Sequence, residues 1–210
     1  GESCCGSLTH HMGLTADATA RAKRMIDQWT EAKVDWVIVT ASGCGTTVKD
    51  YGHMLRYDPA YREKARDIGA RSRDITEFLA TTDLPEGKGD LRIVYHAACS
   101  LQHGQKITRE PMALLKRAGF TVLEVPEGHL CCGSAGTYNM LQPDLARQLR
   151  DRKVAAIESV APAAIAAGNL GCITQIGTGT QVPILHTVEL LDWAYGGPRP
   201  ERLAKLEEAR

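Results

Sequence analysis

Leu130-Cys131-Cys132-Gly133-Ser134 organises this chain of 210 residues, because Cys4-Cys5-Gly6-Ser7 repeats it near the beginning. Working outward from each copy, 39 residues separate Cys132 from Cys172, in Leu170-Gly171-Cys172-Ile173-Thr174, and 38 separate Cys5 from Cys44, in Ser42-Gly43-Cys44-Gly45-Thr46. Cys4 to Cys131 is an offset of 127 and Cys44 to Cys172 one of 128, so two units keep almost one register. Self-similarity at a fixed offset marks a duplicated structural unit. Cys99 stands upstream of the second copy with 31 residues between it and Cys131. Its counterpart in the first unit would fall before Gly1, and the chain is therefore expected to be the carboxyl-terminal piece of a longer protein.

Each unit reads as alternating strands and helices. In the first, Ala18, Ala22, Met25, Trp29 and Ala32 recur at helical steps from Ala16 to Lys33, with Thr15 as N-cap. Val34 to Thr40 is a β-branched strand candidate that delivers Cys44 into a glycine-flanked loop. A second helix is expected from Tyr61 to Thr81, and the segment from Leu84 to Asp90 breaks it. The second unit opens with strand Leu91 to His96, then helix Arg109 to Ala118 and strand Phe120 to Val125. Pro143 starts a helix with Leu145, Leu149, Ala156 and Val160 inward, and Leu170 to Ile176 and Val182 to His186 are the closing strand candidates. A last helix begins at Thr187. The expected fold is α/β, with two similar units (1–88 and 89–195), each a mostly parallel sheet flanked by helices with cysteines in loops at strand ends. A polar tail is expected over 196–210.

Lys and Arg together number 25, as do Asp and Glu, so the formal net charge is zero. That balance argues against nucleic acid or an anionic membrane surface as the main partner. No apolar run approaches the roughly 20 residues of a transmembrane helix. The opening residues carry no secretory pattern, so a reducing, cytoplasmic setting is expected, in which clustered thiols bind metal or do redox work.

The ends of parallel strands form a shared crevice, where Cys99, Cys131, Cys132 and Cys172 can converge despite their distance in sequence. Thiolates are soft donors, and four suit a [4Fe–4S] cluster, with Cys4, Cys5 and Cys44 as part of a second. Structural zinc is the competitor, since a Cys4 or Cys3His site uses the same donors and His96 or His129 stands close in sequence. A nucleophilic cysteine with His103 or His129 as base lacks an orienting third group, and a thiol–disulfide reductase acting directly through the adjacent cysteines is a third reading. His10, His11, His96 and His103 read as neighbours of the cysteines rather than ligands. Arg147, Arg150, Arg152 and Lys153 read as a solvated helix face. No catalytic residue for a substrate is legible.

The pattern Cys99–x31–Cys131-Cys132-Gly133–x38–Cys172 resembles the cysteine-rich CCG domain of heterodisulfide reductase B subunits and bacterial iron–sulfur oxidoreductase subunits. Val39 to Gly45, Tyr95 to Gln105, Leu130 to Tyr138 and His186 to Asp192 are similar to the iron–sulfur subunits of bacterial glycolate oxidases, and the likeness runs from Gly1 to about Tyr195. The resemblance implies a role relaying electrons from flavin-containing partner subunits, which oxidise glycolate or another 2-hydroxy acid, to a quinone or other acceptor. It also implies a ferredoxin-like amino-terminal module in the parent chain and peripheral association with the cytoplasmic membrane. Relatives acting in lactate or glycerol-3-phosphate oxidation, or a zinc-binding docking module, are the alternatives. The family's motif ends in Cys-x-x-Cys, whereas Ile173-Thr174-Gln175 follows Cys172 and Gly45-Thr46-Thr47 follows Cys44, so both units lack a fifth cysteine. Disulfide chemistry on the noncubane clusters of heterodisulfide reductases is therefore not expected.

Overall fold

A computed structural model describes residues 3–207. Gly1 and Glu2, at the head of the expected first unit, and 208–210, at the end of the expected tail, lie outside the described residues. The fold is α/β, and the chain divides into two compact units between Ile75 and Thr76.

The first unit runs α1 (Ser7–His11), α2 (Thr15–Glu31), β1 (Val37–Val39), α3 (Ser42–Lys49), α4 (Tyr51–Met54), α5 (Arg62–Arg71) and β2 (Ser72–Asp74). The two strands pair in parallel, Val37 opposite Ser72 and Val39 opposite Asp74. Ala22, Met25 and Ile26 of α2 pack with Val37, Val48, Tyr51, Ala65 and Ile68 into one core, which also holds Cys5.

Helix α6 (Ile75–Leu79) leads into the second unit. There follow β3 (Arg92–His96), a π-helical turn (Ser100–Gln105), α7 (Glu110–Arg117), β4 (Thr121–Leu123), α8 (Tyr138–Leu141) and α9 (Pro143–Glu158). The unit closes with β5 (Ala164–Ala167), α10 (Leu170–Gly177), β6 (Ile184–His186), α11 (Thr187–Ala194) and α12 (Glu201–Glu207). Its four strands form one parallel sheet in the order β4-β3-β5-β6. Alternation along the strands sends Val94, Ile165 and Ala167 into one core with Ile157 and Ile176, and Ile93, Ala164 and Ala166 into another with Leu115 and Leu190. Cys132 and Cys172 belong to the first of these cores.

The duplication is visible as loop, long helix, strand and short helix: Cys4–Gly6, α2, β1 and α3 in one unit, Cys131–Gly133, α9, β5 and α10 in the other. Both triplet glycines are left-handed, at φ +83° for Gly6 and +90° for Gly133.

The structure corrects several expectations. The helix expected over Tyr61 to Thr81 is interrupted by β2, because pairing with β1 overrides the local helical period. Leu170 to Ile176 is helix α10, not a strand; Cys172, Ile173 and Ile176 share its buried face, and a short apolar run does not reveal its own period. The strand lies just before it, in the alanine-rich Ala164–Ala167, which is buried throughout because both faces of this central strand are covered. Cys44 and Cys172 each occupy the first turn of a helix that follows a strand, rather than a loop. Thr15 begins α2 rather than capping it. Helix α9 turns Ala146, Lys153, Val154 and Ile157 inward and leaves Leu145 51% exposed. The segment expected as a polar tail contains α12, whose Leu203 is buried in the second core, while Arg202 donates to the Ile184 carbonyl at 2.8 Å.

Candidate metal centre

The parallel pairing of His96 with Ala167 puts the carboxyl ends of β3 and β5 side by side. Cys99 follows β3, and Cys172 sits in the first turn of α10 after β5. The loop after β4 brings in Cys131 and Cys132. The four side chains form one string of thiol contacts, Cys99 to Cys131, Cys131 to Cys132 and Cys132 to Cys172. None of the chain's cysteines is in a disulfide.

Negative charge in this string settles on alternate sulfurs. Cys131 is pulled down to about 2, first by the Cys132 and Cys99 thiols and then by the Gly133 amide. Cys172 is pulled down to about 5 by the Cys132 thiol and, against its burial, by His96 and Asn169. Cys99 and Cys132 are pushed up by their neighbouring cysteines and by burial. Donors converge on the sulfurs: Gly133 N–H on Cys131 Sγ at 3.4 Å, Asn169 Nδ2 on Cys172 Sγ at 3.4 Å, and the amides of Ser100 and Ser134 toward Cys99 and Cys132. Such donors stabilise negative sulfur and help set the potential of a bound cluster.

Glycine suits the point where α10 meets the side chain of Ser134. A β-carbon on Gly171 would stand 2.7 Å from Ser134 Oγ, so Gly171 lets α10 and the Cys-Cys loop meet.

Two further residues complete the surroundings. Lys153, read in the sequence as solvated, is 2% exposed, and its ammonium donates to the carbonyls of Glu127 and Gly128 at 3.0 and 3.1 Å. Burial lowers its pKa, while Cys132, Cys131, Glu127 and Cys172 favour its charged form. It therefore ties down the loop that carries Cys131 and places a cation near the thiolates. His96 is also buried, and its ring, with Cys132 and Cys172, offers ligand atoms that all lie within 4.8 Å of one another. His10, His11, His103 and His129 are exposed.

In the first unit Cys5 and Cys44 contact each other, with Cys4 close to Cys44. The Cys5 thiol draws Cys44 down to about 7, and Cys5 itself is pushed up by Cys44 and by burial. Tyr51 OH donates to the Cys5 carbonyl at 2.8 Å, and Thr47 Oγ1 donates to Ser7 Oγ at 3.0 Å, fixing the triplet loop on α3 and α4. The strands and cysteine that would match β3, β4 and Cys99 have no counterpart among the described residues of this unit.

Four sulfurs backed by amide donors and a buried cation fit an iron–sulfur cluster, and the donor set equally satisfies zinc. The family model described as "Cysteine-rich domain", CCG, matches residues 1–49 and 93–177. The chain belongs to the CCG family. Among its relatives, the "Glycolate oxidase iron-sulfur subunit" of Escherichia coli K12 is 42% identical over 196 residues, covering 91% of this chain and 48% of that protein. The "Probable glycolate oxidase iron-sulfur subunit" of Bacillus subtilis 168 is 30% identical over 207 residues, covering 93% and 47%. "Lactate utilization protein A" of Bacillus licheniformis is 27% identical over 201 residues, covering 91% and 84%. The chain thus spans about half the length of the glycolate oxidase relatives. Both CCG triplets and all four cysteines of the string lie within the matched stretches.

The sequence pointed to the sulfurs that the structure brings together, but it misplaced Lys153 and gave no role to Asn169. Asn169 had a legible signal, an Asn at the start of a glycine-flanked turn. Lys153 had none, since its burial is imposed by the loop that folds over α9.

Proposed function

We propose that the chain is the cluster-bearing part of an iron–sulfur subunit in a 2-hydroxy-acid oxidoreductase complex, with glycolate as first substrate class and lactate as second. A lactate- or glycerol-3-phosphate-oxidising complex would use the same relay part. The observation that carries the reading is the convergence of Cys99, Cys131, Cys132 and Cys172 at the ends of adjacent parallel strands. These four would hold a [4Fe–4S] cluster, which supplies reversible one-electron storage, and Cys4, Cys5 and Cys44 would contribute to a second centre. Cys132 and Cys172 anchor the site in the core, while Cys99 and Cys131 are only partly buried and give it an edge toward the outside. The Gly133, Ser134 and Ser100 amides, Asn169 and Lys153 hold negative charge at the sulfurs. Substrate oxidation would fall to flavin-containing partner subunits, and the acceptor would be a quinone or another carrier. A ferredoxin-like module of the parent chain and peripheral attachment to the cytoplasmic membrane belong to the same proposal; among the described residues no helix is long and apolar enough to cross a membrane.

The buried His96 beside Cys132 and Cys172 favours a second reading, a structural Cys3His zinc site that docks the flavoprotein without carrying electrons. Anaerobic purification with iron, acid-labile sulfide and zinc analysis separates the two. Iron and sulfide that are lost together in Cys132→Ser support the relay, whereas stoichiometric zinc without sulfide supports docking. A thiol–disulfide activity that survives metal loss would favour direct cysteine chemistry instead.

A further inference from the structure

His96 is 4% exposed, and neither its Nδ1 nor its Nε2 has a nitrogen or oxygen partner; what faces the ring is the Cys172 sulfur. An ordinary core histidine satisfies at least one ring nitrogen on a carbonyl or hydroxyl, because a buried polar atom left alone costs ~1–3 kcal/mol. The surroundings of His96 supply sulfur instead: with Cys132 and Cys172 it offers ligand atoms within 4.8 Å of one another. Its position is not adjustable by a loop, since it ends β3 and pairs with Ala167 of β5 in the middle of the sheet. Bonds of ~2.0–2.3 Å from metal to nitrogen and sulfur put donors sharing one ion ~4 Å apart, so the observed spread closes with little movement.

We propose that His96 supplies an imidazole nitrogen to the metal centre of the second unit, as a donor beside the sulfurs of Cys132 and Cys172. The inference rests on the proposed function in needing a metal at the cysteines, and goes beyond it by naming a non-sulfur ligand. Metal binding would satisfy a ring nitrogen that the protein leaves with sulfur alone beside it. Gln175, on the same helix as Cys172, donates its Nε2 to the Ala146 carbonyl at 3.3 Å and leaves the centre to the other donors.

The test uses the anaerobically purified protein, uniformly labelled with 15N-histidine, analysed for iron, sulfide and zinc. X-ray absorption at the edge of whichever metal is present, with pulsed EPR of the reduced protein when it is iron, reads the ligand shell. Imidazole scattering, and for iron a strongly coupled histidine nitrogen, is expected in the wild type and is expected to vanish in His96→Leu. His96→Cys should keep the metal with an all-sulfur shell, which decides the matter if His96→Leu does not fold. An all-sulfur shell in the wild type, or a nitrogen coupled only weakly through a hydrogen bond to sulfur, would overturn the inference while leaving the proposed function intact. Absence of any metal from the wild type would overturn both.

Discussion

Gly133 lies so close to the Ala146 carbonyl that a β-carbon at position 133 would stand 2.3 Å from its oxygen. The same relationship recurs in the first unit, where a β-carbon on Gly6 would meet the Ala18 oxygen at 3.0 Å. Each glycine follows a Cys-Cys pair, adopts a positive φ and seats its loop on the first turns of the long helix. The triplet is thus a docking device as much as a run of candidate ligands, which explains why glycine, and not another small residue, completes it.

Replacing these glycines with alanine tests that view. A positive φ costs a non-glycine residue ~1–2 kcal/mol, and the backbone clash adds to it. Gly133→Ala is expected to destabilise the protein by about 3 kcal/mol or more, and Gly6→Ala by less, because its neighbour needs to give only slightly. Denaturant unfolding followed in each variant reads the difference; equal costs would mean that the closer approach at Gly133 carries no penalty.

Lys153 provides a prediction about potential rather than stability. A cation buried near the sulfurs stabilises the more negative, reduced state of a bound cluster. Lys153→Met is expected to lower the reduced-to-oxidised ratio at fixed applied potential about tenfold, ~59 mV for one electron, with the metal content unchanged. Lys153→Arg should retain most of the wild-type value. A redox titration monitored by EPR gives the answer.

Tyr51 is fully buried, and its hydroxyl donates to the Cys5 carbonyl. Tyr51→Phe leaves that carbonyl without its donor, for an expected loss of ~1–3 kcal/mol. Thermal unfolding measures the loss, and faster alkylation of Cys5 in the metal-free protein would report the loosened loop.

Leu203 is 2% exposed in α12 and packs with Leu190, Leu191 and Phe120 as part of one core. Leu203→Ala should cost about 2–4 kcal/mol, whereas an alanine at exposed Glu201 should change little. A neutral Leu203→Ala in chemical denaturation would return α12 to the status of a dispensable tail.

Much of the site was legible before any fold. The repeated Cys-Cys-Gly-Ser and its offset exposed the duplication, and soft sulfur donors at strand ends pointed to a metal. The strong β3, α7, β4, β6 and α11 patterns also survive in the structure. Less legible were elements whose local pattern is outvoted by their surroundings. Ala164–Ala167 has no β-branched residue to mark it except Ile165, yet it is the strand between β3 and β6. Ser72–Asp74 reads as the continuation of a helix until β1 offers it a ladder.

What the linear order of residues determined by itself is the donor inventory and the repeat, because covalent spacing and side-chain chemistry do not depend on the fold. The tertiary structure alone decided that His96 faces sulfur, that Lys153 is buried, and that Leu145 is not. Burial and proximity are properties of segments brought together from opposite ends of a unit, and no window along the chain contains the partner that sets them.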